Sequence, residues 1–302
     1  MESFGPASFN PVDFHEPVKG RALLSIFISS PGNPGREKEM RVEKLGDGEP
    51  EVAVVGSIHG DEPCGKKAIE RFIESDFEIQ KAVKLIVANE KGLDRDARYI
   101  DCDLNRCFPG DLSSENYEER IAAEILEQVR ELNTLSLHST KSYADPFAAQ
   151  SVLDEGKMEL ISKTGVRVVS HHAAEDIGCL SEYSNTVAVE CGFQGSESAA
   201  ENAFRVLKNF LAAHGVIDDD FREAEPEIFR VYDTVEKPEF EFTAVNFQKV
   251  EEGDVYARDR DRVLRAEEDF YPVLMSSDGY EEILGHKAEK VKNRKEYIRK
   301  QT

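Results

Sequence analysis

One feature constrains this chain more than any other. In its first two-thirds, short apolar runs ended by a turn alternate with longer stretches whose apolar residues recur at helical spacing. Val52-Ala53-Val54-Val55 is the clearest run: four apolar residues closed by Gly56, the length of a strand buried on both faces. Residues 51–57, 84–89, 134–139, 166–170 and 186–191 read as strands of this kind, with a further one at 22–29. Between them, 63–75 reads as a helix with Pro63 in its first turn. Residues 115–132 read as an amphipathic helix with Ile121, Ile125, Leu126 and Val129 on one face. Residues 197–214 read as another, with Gly215 as its C-terminal cap. Buried strands alternating with helices predict an α/β fold: a parallel or mixed sheet covered on both faces, in three α/β/α layers.

The pattern changes after residue 217. Past Asp218-Asp219-Asp220, residues 227–235, 239–247, 255–257 and 271–275 read as short strands separated by turns, and no strong helix precedes the charged tail. This predicts a division into a larger domain over 1–217 and a smaller β-rich C-terminal domain over 218–302.

Charge narrows the function. The chain has 60 Asp+Glu against 38 Lys+Arg, a net charge of −22, which excludes a nucleic-acid partner because phosphate binding needs clustered cations. The acids are spread along the chain rather than massed, as on a solvated surface suited to high salt. No apolar run approaches the ~18 residues of a membrane span. Met1-Glu2-Ser3-Phe4-Gly5-Pro6 lacks a basic, then apolar, leader. Five scattered cysteines without a CxxC predict reduced thiols. Together these predict a cytoplasmic protein.

Four segments carry groups suited to chemistry. His59 and Glu62 follow the strand at 51–57, and His138 ends the strand at 134–139. In open α/β sheets, sites gather at the carboxyl ends of strands. If these two strands are neighbours, two imidazoles and a carboxylate converge, a donor set that suits zinc and leaves a position for water. Each segment alone also reads as an ordinary polar loop. Glu190 ends the strand at 186–191, as a general base would or as a charge facing solvent would. Arg98 and Arg106 flank a compact loop, placed for carboxylate or oxyanion contacts or for salt bridges to Asp101 and Asp103.

Taken in order, His59-Gly60-Asp61-Glu62, the loop from Arg98 to Gly110, Leu137-His138-Ser139-Thr140 and Val189-Glu190-Cys191-Gly192 resemble the aspartoacylase and succinylglutamate desuccinylase family, within the zinc-carboxypeptidase-like fold. Tyr271-Pro272-Val273-Leu274 followed by Tyr280 resembles that family's C-terminal segment. The resemblance runs over about 50–290. It implies one zinc per chain on His59, Glu62 and His138, and Glu190 as the base that takes a proton from the attacking water and returns it to the leaving amine. It implies Arg98 at the developing oxyanion, Asn105 and Arg106 on a substrate carboxylate, and Tyr280 closing over the substrate from the C-terminal domain. The implied activity is hydrolysis of the amide of a small, anionic N-acyl amino acid.

Two departures bear on the substrate. The family's additional arginine, about ten residues before the base, is replaced by Leu180, and the aspartate two residues before the third ligand is replaced by Ser136. Lys141 is a candidate replacement cation. His171-His172 reads as structural or pocket-edge, because adjacent strand residues face opposite ways. A zinc carboxypeptidase acting on peptide C-termini and a catalytically inactive metal-binding interaction protein are the rival readings. An ester or diamino-acid deacylase, and a homodimer among the oligomeric states, also stay open.

Overall fold

A computed structural model describes residues 23–28 (as backbone), 39–173, 178–237, 239–277 and 279–301. The chain runs β1 (Leu23–Ile28), β2 (Met40–Leu45), β3 (Val52–Gly56), α1 (Cys64–Glu74), β4 (Val83–Val87), α2 (Glu90–Asp94), α3 (Tyr117–Val129) and β5 (Asn133–Thr140). It continues through β6 (Phe147–Gln150), α4 (Glu155–Thr164), β7 (Val168–His171), α5 (Leu180–Tyr183), β8 (Thr186–Phe193) and α6 (Glu197–Ala213). The C-terminal part holds β9 (Glu227–Val235), β10 (Glu241–Phe242), β11 (Val255–Asp259), β12 (Arg262–Arg265), β13 (Tyr271–Val273), β14 (Gly285–Lys290) and α7 (Arg294–Arg299).

Eleven strands form one mixed sheet in the order β1-β2-β4-β3-β5-β8-β6-β7-β9-β14-β13. Its centre is parallel: β4 pairs β3, β3 pairs β5 and β5 pairs β8 in the same direction. Because strand side chains alternate, each central strand feeds two cores. Val52 and Val54 pack with α1, α4 and α6, whereas Ala53 and Val55 pack with Tyr117, Ile121 and Ile125 of α3 and with Leu180. These two apolar layers make the fold three-layered α/β/α, as the sequence pattern predicts.

The helices start where their caps allow. Asn116 accepts the Glu119 N–H at 3.1 Å ahead of α3, and Ser196 accepts the Ala199 N–H at 3.1 Å ahead of α6. Pro63 immediately precedes α1 rather than lying within it. Gly215, at φ +69°, follows α6 in the left-handed conformation expected of a terminator.

After α6 the chain is β-rich. β9 joins the main sheet beside β7, and β14 and β13 extend it to the edge. β10, β11 and β12 form a separate three-stranded sheet. A cluster that includes Phe240, Val250, Tyr256, Phe270 and Met275 fills this part. Some expected strands are shorter than the pattern suggests. Residues 239–247 hold only β10, and 271–275 end at Val273 because Leu274 turns to φ +54°. β2, α2, β6, α4, α5, β12 and β14 have no counterpart among the sequence expectations; β14, Gly-His-Lys-Ala-Glu-Lys, is a strand because β9 and β13 pair with it, not because of its side chains. Among the described residues, no helix is long and apolar enough to cross a membrane.

Candidate metal centre and active site

β3, β5 and β8 are adjacent and parallel, so their carboxyl ends open on one edge of the sheet. Gly56 lies opposite Leu137, and His138 opposite Glu190. The loop after β3 must turn back at once. Ser57 takes φ +56° and its hydroxyl donates to the Glu62 carbonyl at 3.1 Å. Gly60 packs so closely on the Gly92 backbone that a Cβ would lie 2.1 Å from it. This loop folds Glu62 under His59.

The result is a compact buried triad. His59 Nδ1 lies 2.8 Å from Glu62 Oε1, His138 Nδ1 lies 3.3 Å from Glu62 Oε2, and the potential ligand atoms lie within 4.8 Å of one another. Each imidazole is held from behind. Asp103 Oδ1 is 3.0 Å from His59 Nε2, and Ser136 Oγ is 2.9 Å from His138 Nε2. These contacts turn both Nδ1 atoms toward Glu62. The Ser139 N–H donates to Glu62 Oε2 at 3.0 Å and fixes the carboxylate.

The electrostatics favour positive charge at this point. Burial works against a charged imidazole at His59, yet Glu62 and Asp103 outweigh it and raise its pKa to about 9. Burial likewise opposes ionisation of Glu62 and Asp103, but the adjacent histidines hold Glu62 well below the usual carboxylate range, and His59 with Arg98 does the same for Asp103. A field that would keep a proton on His59 also favours a cation among these donors. The residues therefore fit a divalent metal on His59, Glu62 and His138, and two imidazoles with one carboxylate are donors zinc accepts. Beside them, Glu190 Oε2 is enclosed and has no hydrogen-bond partner among the described residues. Burial, reinforced by Glu62 and opposed by His138, raises the Glu190 carboxyl to about 7.

The loop 98–106 is fastened to the fold by Glu118, a wholly buried carboxylate at the start of α3. It accepts the N–H groups of Ile100 at 2.7 Å, Asp101 at 2.9 Å and Cys102 at 3.2 Å. Arg98 donates to Asp103 Oδ2 from Nε at 3.1 Å and Nη2 at 2.9 Å, and reaches Glu62 Oε1 at 3.4 Å. Asn105 accepts the Leu180 N–H at 3.3 Å, and Arg106 donates to the Asn105 carbonyl at 2.8 Å. The tight turn at Leu104–Arg106 brings the loop's ends together, so that Cys102 and Cys107 meet across it, while Cys64, Cys179 and Cys191 are free and buried.

A cavity of about 590 Å³ opens above the triad. His59, Glu62, Arg98, Asn105, Arg106, His138, Lys141, Glu190 and Tyr280 all line it. Tyr280 arrives from the C-terminal part, its hydroxyl 3.3 Å from Thr140 Oγ1, and burial pushes its phenol up to about 12. Leu180 borders the same cavity from α5, but its side chain is buried in the core layer beneath α3, so the position expected to hold an arginine offers the site no cation. His172 also lines it, and His171 is engaged by the Tyr297 hydroxyl at 2.6 Å. Glu118 and the contacts of Asp103 and Ser136 with the histidines are the parts the sequence reading missed. Asp103 was legible only as an acid beside arginines, and nothing local marks Glu118.

Residues 48–188 match the succinylglutamate desuccinylase/aspartoacylase catalytic domain. Over this stretch, just under half of its length, the chain is similar to that family. The matched stretch contains His59, Glu62, Arg98, Asn105, Arg106 and His138 and ends before Glu190 and Tyr280. Two curated relatives are similar over part of their length. Aspartoacylase from Rattus norvegicus is 31% identical over 87 residues, 28% of this chain and 28% of that protein. The N-acyl-aromatic-L-amino acid amidohydrolase (carboxylate-forming) of Xenopus tropicalis is 32% identical over 106 residues, 30% of this chain and 34% of that one. The matches thus span about a third or less of these relatives' length. The likeness in fold extends further. The succinylglutamate desuccinylase/aspartoacylase structure from Rhodobacter sphaeroides superposes with a TM-score of 0.72 at 18% identity, covering 95% of this chain and 100% of that one.

Proposed function

We propose that this protein is a zinc-dependent amidohydrolase that cleaves an anionic N-acyl amino acid into a carboxylate and an amino acid. The observation that carries the reading is Glu190. A carboxyl with one oxygen enclosed and unpartnered among the described residues, and a pKa raised to about 7, stands beside a triad of metal-ligand type. Such a group is costly to bury without use, and it is tuned to accept a proton at neutral pH. The match of residues 48–188 to that catalytic domain and the names of the relatives support the same chemistry.

In this reading His59, Glu62 and His138 hold the zinc, with Asp103 and Ser136 orienting the imidazoles. When bound, the metal supplies Lewis acidity toward water and the scissile carbonyl. Glu190 takes a proton from the attacking water and passes it to the nitrogen that leaves as amine. Arg98 directs its guanidinium at the oxygen on which negative charge develops, giving up part of its contact with Asp103. Asn105 and Arg106 hold the substrate carboxylate, Lys141 adds positive charge at the mouth, and Tyr280 donates a hydrogen bond from the C-terminal side. We further propose that residues 218–302 act as a unit that caps the site, with Tyr280 as its contribution, and that 1–217 carries the remaining machinery.

The test is amine release from N-acetyl, N-succinyl and N-acyl diamino acids and from short peptides, together with metal content. About one zinc per chain and activity abolished by chelation are expected. Release from peptide C-termini alone would replace this reading with a carboxypeptidase, and metal binding without turnover on any substrate would refute the hydrolase.

A further inference from the structure

A second cavity, of about 770 Å³, adjoins the first. The two share Lys141, Gln194 and Gly279, but the second touches none of Arg98, Asn105, Arg106 or Leu180. It extends from the catalytic cavity without touching Asn105 or Arg106, the proposed carboxylate grip.

One wall is apolar and aromatic; Asp61, Asp96 and Lys141 stand on the rest. Phe193, at the end of the strand that carries Glu190, stacks on Tyr143 with ring centroids 4.4 Å apart and planes within 8°. Phe242, Val245 and Met275 of the C-terminal part face the same space. Tyr143 is 74% exposed and Val245 53% exposed, large apolar groups left open on an otherwise acidic chain. The hydrolytic machinery gives neither a task.

The walls are also held in place. Asn246 donates to the Met275 carbonyl at 2.9 Å and accepts the Met275 N–H at 2.9 Å, and it reaches the Tyr143 carbonyl at 3.3 Å. Ser276 donates to the Lys141 carbonyl at 2.6 Å. The cavity is therefore pre-formed between two parts of the chain.

We propose that this cavity is an acyl subsite, which takes an extended, uncharged aromatic group attached to the scissile carbonyl. The assignment rests on the deacylase reading. With the amino-acid carboxylate at Asn105 and Arg106, the acyl half of the substrate points the other way, toward Lys141, Gln194 and Gly279. The open face of Tyr143 provides a stacking surface for a ring. Asp61, whose Oδ1 is enclosed, and Asp96 line the same cavity and repel an acyl group that ends in a carboxylate.

The experiment uses the full chain loaded with zinc and compares the N-acetyl, N-succinyl and N-(4-phenylbutyryl) derivatives of one amino acid. A KM about tenfold lower for the phenylbutyryl substrate than for the acetyl one is expected. Tyr143→Ala and Val245→Asp should each raise the phenylbutyryl KM about tenfold and leave the acetyl KM within about twofold. Saturation-transfer NMR with 4-phenylbutyrate reads the cavity without turnover, and the signal should vanish in both variants. Acetyl hydrolysis with no phenylbutyryl preference, or a preference that follows the amino-acid side chain instead, overturns the subsite and leaves the deacylase intact. Phenylbutyrate binding that needs Tyr143, without hydrolysis of any amide, supports the aromatic cavity and refutes the deacylase. Neither binding nor hydrolysis overturns both.

Discussion

The Ser136 hydroxyl stands 2.9 Å from His138 Nε2, in the place that a carboxylate, Asp103, holds toward His59 at 3.0 Å. The two imidazoles are thus supported unequally, one by a neutral group and one by a charged group. Ser136→Ala should leave the fold intact and weaken metal retention about tenfold, the lower end of what loss of such a support costs. Competition against a chelator measures it; unchanged affinity would mean that the strand alone orients His138.

Glu190→Gln keeps the shape of the side chain and removes its ability to accept a proton. Metal content should stay the same while kcat falls by about 10²–10⁴-fold. Single-turnover assays on zinc-loaded protein make the comparison. Near-normal turnover would assign the base to another residue.

Arg106→Ala separates binding from chemistry. For substrates with a free carboxylate, KM should rise by about tenfold or more, while the corresponding amide-capped substrates change little. Equal effects on the two series would show that Arg106 shapes the loop rather than grips the substrate.

Glu118 accepts three consecutive N–H groups of the loop that carries Arg98, Asp103, Asn105 and Arg106. Glu118→Gln places an NH₂ where acceptors are needed. A stability loss of about 2–4 kcal/mol and a fall in kcat/KM are expected together, read by denaturant melts and by the N-acyl assay. Full activity with lowered stability would uncouple the loop from the site.

Lys157 is buried and donates to the carbonyls of Ser181 at 2.9 Å, Ser184 at 2.8 Å and Thr186 at 2.7 Å, tying down the segment that presents Leu180. Lys157→Met should cost about 2–3 kcal/mol at pH 7. Burial, partly offset by Asp154, lowers the Lys157 pKa from 10.5 to about 8. Between these values the folded chain has released a proton that the unfolded chain still binds, so stability rises with pH. The stability gap between the two proteins should therefore widen from pH 8 to 10; a constant gap would place the folded-state pKa at its ordinary value.

The sequence by itself determined the layers and marked the candidate ligands. Val52-Ala53-Val54-Val55 can only be buried on both faces, and the helices that flank it bury one face each, so the α/β/α arrangement is written in local periodicity. His59, Glu62, His138 and Glu190 were legible as candidates because they lie near or just past the carboxyl ends of such strands, in an order that resembles the family's. Tertiary structure decided the rest. That β3, β5 and β8 are neighbours, so that the four side chains meet, depends on pairings between segments up to about eighty residues apart. The hold of Glu118 on three backbone N–H groups, the support of His138 by Ser136 and the aromatic cavity between Tyr143 and Val245 leave no local pattern either. A hydrogen bond or a cavity wall between distant segments is a property of their meeting, and periodicity records only which face of each segment is buried.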